Sequence, residues 1–153
     1  MLLFLSLFAC AGSKEVEDPS AHACEHIAES EATLPGGNST GNAVVIPMDG
    51  EPYTVTLQDS IPSYLSVQID ADTPALLFAG TADVVSGLYN GDEAVTLPEP
   101  APNADCPEDI PEHFDLEFDT VGTWYIQLGP AAVTEVWLSL APAEGHAHDE
   151  GEE

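Results

Sequence analysis

Positive charge is almost missing from this chain. Lys14 is its single lysine or arginine in 153 residues, whereas aspartate and glutamate together number 28. Proteins that bind nucleic acids or anionic membrane surfaces need clustered lysine and arginine to displace counterions. The composition therefore excludes nucleic acid as a partner. It does not indicate disorder, because 44% of the residues are hydrophobic and only 19% are charged.

Motifs that would indicate catalysis are also scarce. The sequence contains no phosphate-binding glycine loop and no dinucleotide-binding fingerprint. Its carboxylates are so numerous that pairs arise by chance, so they nominate no glycosidase site. We therefore expect a binding protein and not an enzyme.

The first residues combine a short apolar run with a cysteine. Residues 2–9 carry no charge and are far shorter than the ~20 residues of a membrane-spanning helix, so they are typical of a signal-peptide core. The junction Leu7-Phe8-Ala9-Cys10 resembles the bacterial lipobox. That resemblance implies cleavage before Cys10 and lipid attachment to it. We thus expect a signal peptide over residues 1–9, a tether over residues 10–20 and a lipid-anchored lipoprotein of the bacterial cell envelope, on the outer-membrane or periplasmic face.

Two further cysteines follow the lipobox, Cys24 and Cys106. Export would place them in an oxidising compartment, where disulfides persist. We predict that they form a disulfide. The alternative, two thiolates that ligate a metal, requires a reducing compartment.

The remaining chain has the pattern of an all-β protein. We expect residues 21–42 to form a short helix over Ala21–Ala32 and then a turn-rich segment, and residues 143–153 to be a disordered tail rich in histidine and acid. Between them, residues 43–142 show short apolar segments, several of them with period two, separated by Pro, Gly, Asp or Asn. We predict an antiparallel β-sandwich, jelly-roll-like, of about eight short strands with one short N-terminal helix. The strand segments are 43–48, 53–58, 64–69, 75–79, 84–88, 94–97, 114–118, 123–128 and 134–140.

The segment from Phe114 to Gly129 alternates apolar and acidic residues and then passes a Gly-Thr turn into a strand that contains tyrosine. It is similar to the closing hairpin of small secreted bacterial β-sandwich domains of the pre-peptidase C-terminal type, and to segments of short bacterial lipoproteins. The resemblance implies a sandwich fold and no particular activity.

Histidines provide a candidate metal site. His22, His26 and Glu29 have i, i+4 and i+7 spacing, which places them on one face of the expected helix, with Cys24 on the opposite side. The expected disulfide would bring this helix near His113. Imidazole and carboxylate ligands suit zinc or copper. The alternative is that these are surface histidines without a ligand.

The tail contains a second histidine pattern. His146 and His148 lie among four acidic residues in the last nine positions. Such a tract is a weak metal-binding signal, and its alternative is a charged terminus that keeps the protein soluble.

Two functions follow from these patterns. The first is a lipid-anchored protein that binds zinc or copper ions through histidines. The second is a structural or interaction module whose acidic sandwich binds another envelope protein, a polysaccharide or calcium.

Overall fold

A computed structural model describes residues 18–144 of the chain. These residues form one α-helix, α1 (Pro19–Glu25), one 3₁₀ turn (Thr40–Asn42) and ten strands. The strands are β1 (Ala32–Pro35), β2 (Val44–Val45), β3 (Pro52–Thr56), β4 (Ser63–Ile69), β5 (Thr73–Ala79), β6 (Val85–Asn90), β7 (Glu93–Val95), β8 (Glu112–Phe118), β9 (Gly122–Leu128) and β10 (Glu135–Pro142). No helix in this part of the chain is long and apolar enough to cross a membrane.

The strands form two five-stranded sheets packed as a sandwich. The first sheet has the order β1-β3-β10-β5-β8 and the second has the order β2-β4-β9-β6-β7. Strands β3 to β10 pair in antiparallel fashion, four in each sheet, in the arrangement of a jelly roll. The predicted sandwich with one short N-terminal helix is thus confirmed.

Two edge strands differ from the prediction. β1 runs parallel to β3, and β2 runs parallel to β4, so both sheets are mixed and not wholly antiparallel. β2 lies within the predicted segment 43–48, whereas β1 was not predicted as a strand, and the described residues form ten strands where about eight were expected. The sandwich also begins at Ala32 and not at Ala43, because β1 belongs to the first sheet.

The helix is shorter than the predicted Ala21–Ala32. It ends at Glu25 because the following chain is held at the edge of β3. Ser30 Oγ accepts a hydrogen bond from the Thr54 backbone N–H at 3.0 Å, and the Glu31 N–H donates to the Pro52 carbonyl at 2.7 Å. An extended chain in these contacts cannot continue the helix, so tertiary pairing overrides the helix propensity of alanine and glutamate.

The main core lies between the sheets and follows the period-two pattern of the strands. In β8, Phe114, Leu116 and Phe118 are buried, whereas Asp115 and Glu117 are exposed. The same alternation buries Val55 in β3 and Leu65, Val67 and Ile69 in β4. The rings of Phe118 and Trp124 pack edge to face in this core, with their centroids 5.2 Å apart.

A second, smaller core lies on the outer face of the first sheet, under α1. Ala23 of the helix is buried there with Phe78, Ile110 and Ala141. The predicted disulfide joins Cys24 to Cys106 beside this cluster, with their Cα atoms 5.8 Å apart across a sequence separation of 82. The bond therefore holds both α1 and the long β7–β8 connection against the sheet.

The segment Phe114–Gly129 does not form a hairpin. β8 lies at the end of the first sheet and pairs with β5, whereas β9 lies in the second sheet between β4 and β6. The short turn between them crosses from one layer of the sandwich to the other.

Candidate functional site

Helix α1 positions two of the predicted metal ligands. Asp18 caps its start by accepting a hydrogen bond from the Ser20 N–H at 2.8 Å, and Pro19 occupies the first turn, where no N–H is needed. His22 is buried in the helix and His26 is its C-terminal capping residue. Their ring centroids are 4.5 Å apart. The two imidazoles therefore lie next to each other, as their i, i+4 spacing predicted.

Glu29 joins this pair through His26. Its Oε2 lies 2.7 Å from His26 Nδ1, although the helix has already ended. This hydrogen bond, with the negative charges of Glu29, Glu51 and Glu25, raises the pKa of His26 above its ordinary value, against the opposing effect of desolvation. Protonated His26 is thereby favoured, which opposes metal binding because a metal needs the neutral ring.

His113 lies on the outward face of β8, as the alternation of the strand predicted. Its ring faces Phe78, with the centroids 6.0 Å apart. In the described range 18–144, no three His, Cys, Asp or Glu side chains are close enough together to hold a metal ion. The structure thus places His22, His26 and Glu29 next to one another without forming a three-ligand site. Cys10, His146 and His148 lie outside the described residues.

The turn between β1 and β2 contains a motif that the sequence expectations did not include. Gly37-Asn-Ser-Thr-Gly41 matches the Gly-x-Ser-x-Gly spacing of a nucleophile elbow. The required context is a strand that leads into a long helix, with a histidine beside the serine. Here Ser39 precedes a three-residue 3₁₀ turn, and its hydroxyl donates to Asn42 Oδ1 at 3.2 Å. The motif therefore serves as a turn.

An open cleft of about 580 Å³ lies on the side of the sandwich where β7 ends one sheet and β8 ends the other. Its apolar part comes from β6, β9, β7 and the loop that follows β7. Its polar part comes largely from β8 and the β8–β9 turn. The lining residues are Leu88, Asn90, Glu93, Val95, Thr96, Pro98, Asp115, Glu117, Asp119, Thr120 and Trp124.

Hydrogen bonds fix the base of this cleft. Trp124 is buried, and its indole N–H donates to the Thr120 carbonyl at 3.0 Å. Asn90 Nδ2 donates to Thr120 Oγ1 at 2.6 Å, which ties β6 to the β8–β9 turn. These bonds hold β6, β9 and the β8–β9 turn together at the base of the cleft.

The cleft is acidic. Glu93, Asp115, Glu117 and Asp119 line it, and all four are exposed. Residues 18–144 contain no lysine or arginine to neutralise them. Sequence reasoning missed this site because four acids among 28 carry no signal until the sheet order brings β7 and β8 to the same side.

Compared with models of known protein families and with curated proteins, the sequence matches none. A β-sandwich hosts many unrelated functions, so the function of this chain has to be argued from its own site.

Proposed function

We propose that the protein is a lipid-anchored, non-catalytic binding protein of the bacterial cell envelope, and that it captures a positively charged segment of another envelope protein in the acidic cleft. The observation that carries this proposal is the cleft between β7 and β8, with four acidic residues and no basic residue in its lining. It favours the interaction module over the histidine metal site.

Charge selects the class of partner. Four carboxylates concentrated in a cleft attract cations and repel anionic glycans and phosphates. The apolar residues Leu88, Val95 and Pro98 line the same cleft. A ligand that offers both positive charge and apolar surface matches this lining better than a bare calcium ion, because no three-ligand group is present among residues 18–144.

Export is supported by the covalent structure. The Cys24–Cys106 bond is of a kind that persists in oxidising compartments. It agrees with the lipobox resemblance at Cys10, which would tether the sandwich to a membrane and leave the cleft free to meet proteins of the envelope.

Fluorescence anisotropy with short labelled peptides tests the cleft. A lysine-rich peptide should bind the full chain and a glutamate-rich peptide of equal length should not. Binding should weaken as salt rises, because exposed charges are screened beyond about 8 Å at physiological ionic strength. Replacement of all four cleft acids by their amides, Glu93→Gln, Asp115→Asn, Glu117→Gln and Asp119→Asn, should abolish it.

A charge-matched control separates the cleft from the overall charge. Four exposed acids outside the cleft, neutralised together as Glu31→Gln, Glu108→Gln, Glu135→Gln and Glu144→Gln, change the net charge by the same amount. This control should bind the lysine-rich peptide nearly as well as the unmodified protein. Equal loss in both variants would contradict a cleft-specific site.

A second candidate function is zinc or copper binding, favoured by the 4.5 Å separation of the His22 and His26 rings and by the contact of His26 with Glu29. His113 is the proposed further ligand, since its ring faces Phe78, which packs with Ala23 of α1 in the smaller core. A chain that ends after Pro142 lacks His146 and His148, so calorimetry on it measures binding by the remaining residues alone. Tight zinc or copper binding that weakens about 10-fold or more in His26→Ala would support this site. Absence of binding at neutral pH would exclude it.

A further inference from the structure

β8 is the last strand of the first sheet, and its outer edge is only half covered. At its start, the Ala101 N–H donates to the His113 carbonyl at 3.0 Å and the His113 N–H donates to the Ala101 carbonyl at 2.7 Å. The Asn103 N–H also donates to the Ile110 carbonyl at 3.1 Å. The β7–β8 connection therefore acts as a short partner strand, but only as far as His113.

The uncovered half of β8 exposes backbone hydrogen-bonding groups. In an antiparallel pair, successive residues direct their N–H and C=O groups alternately to one neighbour and to the other. Since His113 bonds outward to Ala101, Asp115 and Glu117 also direct these groups away from β5. Within residues 18–144 no hydrogen bond reaches them, and both residues line the cleft.

The chain does not cover this edge with its own connection. Continued antiparallel pairing from Ala101 would place Glu99 opposite Asp115 and Leu97 opposite Glu117. Within residues 18–144 no backbone hydrogen bond joins residues 97–100 to β8. Thr96 and Pro98 line the cleft instead.

We infer that the partner binds as an extended segment that adds a strand to the open half of β8, pairing with the backbone of Asp115 and Glu117; this inference rests on the proposed function. Strand addition at an exposed sheet edge takes its affinity from main-chain hydrogen bonds and its specificity from alternate side chains. The cleft beside β8 provides the space for such a strand.

The pattern of β8 specifies the residues of this segment. Side chains directly opposite each other on paired strands lie on the same face. Residues opposite Asp115 and Glu117 would lie beside exposed carboxylates, so lysine or arginine fits there. The residues between them would lie on the face of Phe114, Leu116 and Phe118, where the sandwich is apolar. The partner segment therefore alternates basic and apolar residues.

A proline substitution with a matched alanine substitution at Asp115 tests the backbone contact. The probe is an acetylated and amidated peptide of alternating lysine and valine, measured by fluorescence anisotropy against the full chain. Asp115→Ala removes a carboxylate and keeps the N–H, whereas Asp115→Pro removes both. Proline is tolerated on an edge strand where its nitrogen faces away from the sheet. We expect Asp115→Pro to bind about 10-fold more weakly than Asp115→Ala, the effect of losing one backbone hydrogen bond and its geometry.

A second measurement leaves the protein unchanged. Methylation of every other backbone nitrogen of the peptide removes the donors on one edge and keeps the charge. One of the two methylation registers should lose binding about 10-fold or more. A peptide of the same composition with its lysines and valines in separate blocks should also bind more weakly, because it cannot place both residue types on their faces.

The outcomes separate the two proposals. Equal binding by Asp115→Pro and Asp115→Ala, together with no effect of methylation in either register, would overturn strand addition and leave the acidic cleft as the binding site. Absence of binding by any lysine-containing peptide would overturn the proposed function itself.

Discussion

His26 and Glu29 are joined by a hydrogen bond of 2.7 Å between Nδ1 and Oε2, three residues apart, at the point where α1 gives way to the edge of the first sheet. The pair closes the turn between α1 and the first sheet. The pair is also sensitive to pH, because the bond raises the pKa of His26.

Glu29→Gln should lower the pKa of His26 towards its ordinary value of about 6.5. A raised pKa in the folded state means that the charged pair stabilises the fold below the unfolded pKa, and that this stabilisation is lost as the pH rises through the folded pKa. The difference in stability between the original protein and Glu29→Gln should therefore be largest in mildly acidic solution and shrink above neutrality. It should be small, since the Glu29 side chain is 65% exposed and solvent screens it.

An NMR titration of the His26 ring measures this shift. Glu31→Gln provides the control, because Glu31 is a nearby exposed acid that does not contribute to the shift. If His26 titrates at the same pH in Glu29→Gln as in the original protein, the hydrogen bond does not persist in solution.

Removal of the Cys24–Cys106 bond should destabilise the protein by about 4 kcal/mol, because the closed loop is long and its freedom returns to the unfolded chain. Urea unfolding of the double variant Cys24→Ala and Cys106→Ala, compared with the original protein, measures this effect. Hydrogen exchange should become fastest in α1, which loses its covalent link to the sheet. Two free thiols in the non-reduced protein, found by thiol counting after denaturation, would contradict the bond.

Cys10→Ser tests the lipid anchor. Produced from its first methionine in a bacterium, the original chain should partition into the detergent phase, and Cys10→Ser should either be released or accumulate unprocessed. Cys24 and Cys106 remain paired in this variant, so the fold provides the control. Identical partitioning of the two proteins would show that Cys10 carries no lipid.

Gly37→Ala should destabilise the turn that leads from the first sheet to the second. A Cβ atom at Gly37 would overlap the Asn42 carbonyl and lie 2.8 Å from Ala43 Cα, while the backbone of Gly37 is fixed by two hydrogen bonds to Tyr64. Overpacking of this kind costs about 1–3 kcal/mol. Gly41→Ala is the matched control, because its nearest neighbour is 3.9 Å away. Equal urea midpoints for the two variants would contradict this crowding.

The strands of the jelly roll could be predicted because each carries its own evidence. Alternation such as Phe114-Asp-Leu-Glu-Phe118 marks a buried face, and turn residues separate most of the segments. The Cys24–Cys106 bond could be predicted because the lipobox resemblance assigned Cys10 to a lipid and left these two cysteines to pair.

The parts that escaped prediction depend on distant pairing. β1 (Ala32–Pro35) follows alanines and glutamates that favour a helix, and it becomes a strand only because β3 lies beside it. The cleft could not be predicted for the same reason. Glu93 and Asp115 line the same cleft only because the order of strands in the two sheets brings β7 and β8 to the same side.

The two lateral sides of the sandwich are unequal. One side ends in β1, four residues long and closed by Pro35, and in β2, only two residues long. Short edge strands and proline are poor templates for further pairing. Within residues 18–144, copies of this sandwich therefore have no second long edge through which to polymerise into a continuous sheet, and the carboxylates of β8 repel the same edge of another copy. The protein can keep one long edge open without becoming the seed of a fibril.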